Sequence, residues 1–221
     1  MNRVILSAAT LLVFGLSAQN ASALSVPYFD NFNSITSDAL NTAPTGWNSI
    51  DGSVDSINES NPYGIHCLGH TGGCVDLDGT TSQSGYLLTS STFNLIAGQT
   101  YVLSAQVSGN QRGAIPNNLI FGFLNTSDLV LKSKTISGIV STSPFTLYTV
   151  IFKPTANVAA EIFFNDVLGT NDQGPILDNV RVTDLTKVPL PAAAWLMLSG
   201  LAALGAFARR RISPVGGGAT A

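Results

Sequence analysis

The chain has 221 residues, a formal net charge of -3 and only 10% charged residues, so outside three arginines in the tail it lacks the clustered Lys and Arg that nucleic acid requires of a partner. Its strongest apolar runs lie at the two ends, and both must be set aside before the middle is read as a folding unit. The 21 Gly and 10 Pro, amid abundant Ser, Thr and Asn, suit short strands joined by turns rather than long helices.

At the N-terminus, Arg3 supplies one positive charge, residues 4–16 form an apolar stretch, and Ala21-Ser22-Ala23 has the small-x-small pattern that signal peptidase reads. The apolar run is shorter than the ~20 residues a spanning helix needs. Residues 1–23 therefore read as a signal peptide cleaved after Ala23, and the protein as exported.

Residues 24–186 follow, roughly 160 residues and enough for one core. Short apolar or alternating runs at 75–77, 86–88, 93–96, 101–107, 119–124, 129–131, 145–152, 158–164 and 176–182 are separated by turn residues, the pattern of an all-β sandwich. Export sets an oxidising environment, so Cys67 and Cys74 are expected to form a disulfide across a loop with three glycines. The competing reading, a metal held by the two thiols with His66 and His70, lacks the spacing of a zinc finger. Just beyond, Asp76 and Asp78 sit at a spacing of two, as on the solvated face of a strand.

The segment 94–101 reads as strand, tight turn on Ala97-Gly98, and strand. In 100–108, Tyr101, Leu103, Ala105 and Val107 alternate with Val102, Ser104, Gln106 and Ser108, the period of a half-buried strand. Arg112, an isolated base in a Gly-flanked loop, is a candidate to hold a polar ligand with its planar fork, although loop solubility also accounts for it. Residues 145–152 are apolar on both faces and predict a central strand.

The two ends of the domain carry a resemblance. Tyr28-Phe29-Asp30-Asn31-Phe32 with Gly46-Trp47, and Ile176-Leu177-Asp178-Asn179-Val180 near the other end, are similar to the opening and closing strands of galactose-binding-like jelly-roll modules. That resemblance implies a jelly-roll β-sandwich whose first and last strands lie side by side. It also implies a structural calcium on Asp30, Asn31 and Asp178, since a hard cation takes clustered oxygen donors. Simple hydrogen bonding of a turn or strand end by these side chains remains the alternative.

Catalytic motifs are lacking. There is no serine-hydrolase elbow, His-Glu-x-x-His helix or phosphate loop, and no spacing selects a carboxylate pair from the Asp residues, Glu59 and Glu161. The domain is expected to be non-catalytic, binding an extracellular polysaccharide, with an extracellular hydrolase acting on polysaccharide as the alternative.

The C-terminal segment 188–211 begins Val188-Pro189-Leu190-Pro191-Ala192, whose prolines stop any incoming helix. From Ala192 to Ala208 no charge interrupts about 17 residues, ~26 Å of helix, most of a ~30 Å hydrocarbon core. Arg209, Arg210 and Arg211 then act as a basic stop that holds the far end in the cytoplasm. The motif, the Ser-Gly within the apolar run and the arginines resemble the VPLPA-CTERM form of PEP-CTERM sorting signals. The resemblance implies recognition by an exosortase-type transpeptidase, a membrane-anchored precursor, and delivery to the cell surface or the extracellular space. Residues 212–221 form a small, Gly-rich tail expected to be disordered.

Overall fold

The computed structural model describes residues 23–186 apart from 82, 114, 168, 170 and 171. Residues 1–22 of the expected signal peptide, the 188–211 segment and the 212–221 tail lie outside the described residues. Among the described residues no helix is long and apolar enough to cross a membrane.

Twelve strands run in chain order: β1 Tyr28–Asp30, β2 Trp47–Ile50, β3 Asp55–Asn58, β4 Gly73–Asp76, β5 Tyr86–Thr89, β6 Phe93–Leu95, β7 Tyr101–Ser108, β8 Asn117–Asn125, β9 Val130–Ile139, β10 Thr146–Phe152, β11 Val158–Asp166 and β12 Ile176–Asp184. They form two antiparallel sheets packed as a β-sandwich. The first has the order β10-β7-β12-β4-β3, with β1 also paired to β12; the second has the order β2-β5-β11-β8-β9, with β6 also paired to β11. In the first sheet β7 runs along one edge of β12 while β4 and β1 share the other, so the first and last strands do lie side by side, Tyr28 opposite Val182.

The core lies between the sheets. Leu103, Ala105 and Val107 of β7 meet Phe121 and Phe123 of β8 and Ile162 and Phe164 of β11, with Phe121 stacked on Phe164 at 5.6 Å between centroids. Each such Phe removed from water contributes about 1.5–3 kcal/mol. Alternation in β7 is as its sequence predicts, one face buried and the other partly covered.

Three expectations need correction. First, the turn at Gly98 (φ +78) does not close a hairpin: β6 pairs with β11 and β7 lies in the other sheet, so this turn carries the chain across the sandwich. Second, β10 is an edge strand. Its Tyr148, Val150 and Phe152 turn inward, but Leu147 and Ile151 on the opposite face are each 57% exposed, because nothing covers the outside of this sheet there among the described residues. Third, Asp76 and Asp78 are both 0% exposed rather than solvated. Strands β2 and β3 are hidden from periodicity because each is four residues long with a single buried apolar side chain, Trp47 and Ile57, and β3 also buries the polar Asp55 and Ser56. Asp55, for instance, is satisfied in the interior by the amides of Asn41 (2.6 Å) and Thr80 (3.3 Å) and by the Thr80 hydroxyl (2.8 Å).

Candidate functional site

Cys67 and Cys74 are joined as a disulfide with Cα atoms 5.4 Å apart. The bridge closes the loop between β3 and β4. Inside that loop Glu59 receives the Cys67 amide on Oε2 at 2.6 Å and faces both imidazoles with Oε1. Burial pushes the Glu59 carboxyl up, but His66, the Cys67 amide and His70 together hold it below its usual value.

Arg112 turns into the protein. Its Nη2 forms an ion pair with Asp76 Oδ2 and donates to the Asp172 carbonyl at 2.9 Å, while Nε donates to the Asn110 carbonyl at 3.4 Å. Asp76 Oδ1 accepts the amides of Asp78 (3.1 Å) and Gly174 (2.9 Å). Gly174 is required there, since a Cβ would stand 2.8 Å from Asp76 Oδ1 and 2.3 Å from the Asp78 amide nitrogen. Burial raises the Asp76 carboxyl well above its usual range, against the pull of Arg112.

Asp30 and Asp178 are brought to adjoining strands, Asp30 ending β1 opposite Val180 and Asp178 preceding a bulge at Asn179 (φ 48) in β12. Asp30 accepts the Trp47 indole N–H at 2.8 Å and the Phe32 amide at 2.8 Å. Asp178 accepts the amides of Leu68 (3.0 Å) and Asn179 (2.6 Å). Its carboxyl is raised from the usual 3.8 to about 6 by burial, which outweighs those two amides, with the charge of Asp30 adding to the rise. Asn31 accepts the Asn33 amide at 3.2 Å. By donor type the three side chains suit a hard cation, while both oxygens of each carboxylate already accept N–H groups. All offer oxygen, and a divalent charge would relieve the burden that burial and Asp30 place on Asp178.

A site that sequence patterning did not disclose lies on the outer face of the second sheet. In β11, Ala160, Ile162 and Phe164 enter the core, so Glu161, Phe163 and Asn165 point outward. Pairing sets Leu88 beside Phe163 and Tyr86 beside Asn165 on one flank, and Leu124 beside Glu161 on the other. Phe163, Leu88 and Leu124 form a small apolar cluster, packed against by Tyr86 and Ile120. The Tyr86 ring stacks on Phe163 at 5.1 Å between centroids and 21° between planes.

Above this cluster opens a cavity of about 220 Å³ lined by Ile50, Asp51, Tyr86, Leu88, Leu124 and Asp128. Asp51 and Asp128 arrive from turns in left-handed conformation, φ 55 and 59. Burial, and then the Asp128 charge, raise both the Tyr86 hydroxyl and the Glu161 carboxyl. The face thus combines one supported aromatic ring, a proton-holding hydroxyl and a rim of carboxylates. Four strands, β2, β5, β8 and β11, contribute to it, and only their register reveals it.

No family model matches the chain, and no curated protein matches it. Among solved structures it is similar to the arabinose-bound α-L-arabinofuranosidase MgGH51, with a TM-score of 0.50 and 14% identity over 66% of this chain and 24% of that one. It is also similar to the CBM22-1–GH10 modules of Clostridium thermocellum endo-1,4-β-D-xylanase 10B complexed with xylohexaose (TM-score 0.44, 18% identity, 72% of this chain and 28% of that one). A third similarity is to the K2 cleaved adhesin domain of Lys-gingipain (TM-score 0.48, 17% identity, 71% of this chain and 98% of that one). The chain spans about a quarter of the length of the first two structures. At these identities the likeness is one of fold, and the first of the three carries it: an all-β sandwich domain.

Proposed function

We propose that residues 24–186 form a non-catalytic carbohydrate-binding module of jelly-roll type, carried by an exported protein that an exosortase-type system sorts to the cell surface. The observation that carries the binding reading is the Tyr86 ring, backed by Phe163 and rimmed by Asp51, Asp128 and Glu161. A sugar ring offers an apolar C–H face and a girdle of hydroxyls. A rigid aromatic plane takes the first and carboxylates take the second. Calcium on Asp30, Asn31 and Asp178 would be structural, tying β1 to β12 from outside this face. Arg112 serves as a positioning residue for the loops around Asp76.

The test is a binding panel of soluble polysaccharides, read by affinity electrophoresis and calorimetry. Tyr86→Ala is expected to cost about 2 kcal/mol, roughly 30-fold in affinity, as for an aromatic anchor at the centre of a contact. Affinity unchanged by that substitution would overturn the assignment of the face. A second reading has one observation in its favour: Glu161 is a carboxyl raised beside a second carboxylate, Asp128, the pattern that divides acid from base in glycoside hydrolysis. Release of reducing sugar abolished by Glu161→Gln would make the domain an enzyme. Binding that survives Glu161→Gln without turnover favours the module.

A further inference from the structure

The loop between β3 and β4 holds a second constellation, separate from the sheet face. Glu59 Oε1 lies 3.0 Å from His66 Nδ1 and 3.1 Å from His70 Nδ1. The two imidazoles meet edge to face at 4.7 Å between centroids, and each residue offers one ligand atom within 4.8 Å of the other two. A tetrahedral ion with bonds of ~2.0–2.1 Å spaces its donors about 3.3–3.4 Å apart, so slight rotation of the rings opens the cluster onto one centre. We propose that Glu59, His66 and His70 bind a divalent transition-metal ion of the zinc class, through one carboxylate oxygen and two imidazole nitrogens.

The chemistry of the donors selects the class of ion. Two imidazoles suit Zn²⁺, Co²⁺, Ni²⁺ and Cu²⁺, whereas Ca²⁺ and Mg²⁺ take oxygen. The thiols beside the histidines are spent in the Cys67–Cys74 disulfide, so the site is a nitrogen and oxygen site.

The surroundings hold each donor in place. The Cys67 amide occupies Glu59 Oε2 at 2.6 Å, which leaves Oε1 as the single oxygen directed at the imidazoles. Support of a ligating carboxylate by such an outer hydrogen bond is usual in metal sites. Gln111 grips the backbone of His66 from both sides, its Oε1 accepting the His66 amide at 2.8 Å and its Nε2 donating to the His66 carbonyl at 2.9 Å. His70 follows Gly69 (φ 72) in a turn closed by its own amide on the Cys67 carbonyl at 3.1 Å, and itself stands at φ 55. The disulfide ties the start of this turn to β4.

There is also room to complete the coordination. A cavity of about 410 Å³ opens beside both histidines, with Ser108, Gln111, Thr142 and Phe145 among its walls. The side chains of His66 and His70 are 58% and 71% exposed and that of Glu59 20%, so an ion can enter without any opening of the fold. Three protein donors with an open fourth position leave a place for water or an oxygen ligand.

The experiment uses the purified full chain without a polyhistidine tag, titrated with Zn²⁺ alone by calorimetry and with Co²⁺ by visible absorption. One equivalent is expected to bind. His66→Ala and His70→Ala should each weaken binding by at least the ~10–100-fold that loss of an outer-sphere partner costs. Glu59→Gln, which can keep the Cys67 amide bond, should weaken it while preserving the melting temperature. Excess Ca²⁺ should not displace the ion. Zn²⁺ binding that is absent, or that persists undiminished in the chain carrying both histidine substitutions, overturns the proposal.

Discussion

Arg112→Met is the substitution with the largest predicted effect on stability. It removes the cation from Asp76, a carboxylate with 0% exposure, while the methionine keeps most of the arginine stem's volume. Breaking a buried ion pair by deleting one partner costs about 3–5 kcal/mol, because a charge is left without its counterpart. The Arg112 side chain is itself 21% exposed, which screens part of the interaction and places the expected loss near the lower end, ~3 kcal/mol. At ~2–4 °C per kcal/mol for a domain of this size, the melting temperature should fall by ~6–12 °C. The loss also has a pH signature. Without Arg112 the folded-state carboxyl of Asp76 rises still further above its unfolded value, so the folded state holds a proton that the unfolded state releases. Stability then declines as pH rises from the usual carboxylate range toward the folded value. Thermal and urea unfolding at pH 5 and pH 8 should therefore show a larger difference from the parent at pH 8. The pair Arg112→Met with Asp76→Asn should recover part of the loss, since the charge is gone and Oδ1 still accepts from Asp78 and Gly174. A loss below ~1 kcal/mol, equal at both pH values, would falsify the burial argument and reduce the contact to an ordinary surface pair.

Two further outcomes are expected. The raised Asp178 carboxyl favours the protonated folded state, so it contributes a fall in stability between about pH 4 and about pH 6; Asp178→Asn should flatten that fall in denaturant titrations, and calcium should flatten it in the parent alone. Replacing Pro189 and Pro191 with Ala leaves the apolar run and the three arginines intact, so membrane insertion should continue while processing is impaired; mass analysis of the surface form should find the parent lacking residues 195–221 and the variant retaining them.

What the sequence disclosed follows from where hydropathy alternates. β7 is legible because two of its three partly covered positions, Ser104 and Gln106, are polar and stand out against the buried Leu103, Ala105 and Val107. β10 was legible as a strand and misjudged in place. Leu147 and Ile151 are apolar and exposed, and a strand apolar on both faces has the same pattern whether a second layer covers it or not. β9 was seen only at its start, because Lys132, Ser133, Lys134 and Thr135 guard a sheet edge with charge and hydroxyls rather than an apolar stripe. Asp76 and Asp78 were misjudged because a spacing of two fixes which face two residues share and is silent on whether that face is wet. The arginine that neutralises Asp76 lies 36 residues away.

The two candidate sites differ in the same respect, and the difference bears on how each is to be sought. The metal cluster is local. Glu59, His66 and His70 fall within one loop closed by a disulfide, so the pairing of Cys67 with Cys74 already limits where the histidines can go. What remained hidden was the third donor, for Glu59 sits among Asn and Ser in a stretch that reads as solvated turn. The sheet face is non-local. Tyr86 and Asn165, or Glu161 and Leu124, become neighbours only through a register that the core side chains enforce: shifting β11 by one residue would send Phe163 inward and Phe164 outward. The same constraint that packs Phe164 on Phe121 therefore sets the platform under Tyr86. A core substitution such as Phe164→Ala, distant from any ligand, should accordingly weaken binding on the outer face through the seating of Phe163, whereas the metal cluster should bind with unchanged stoichiometry.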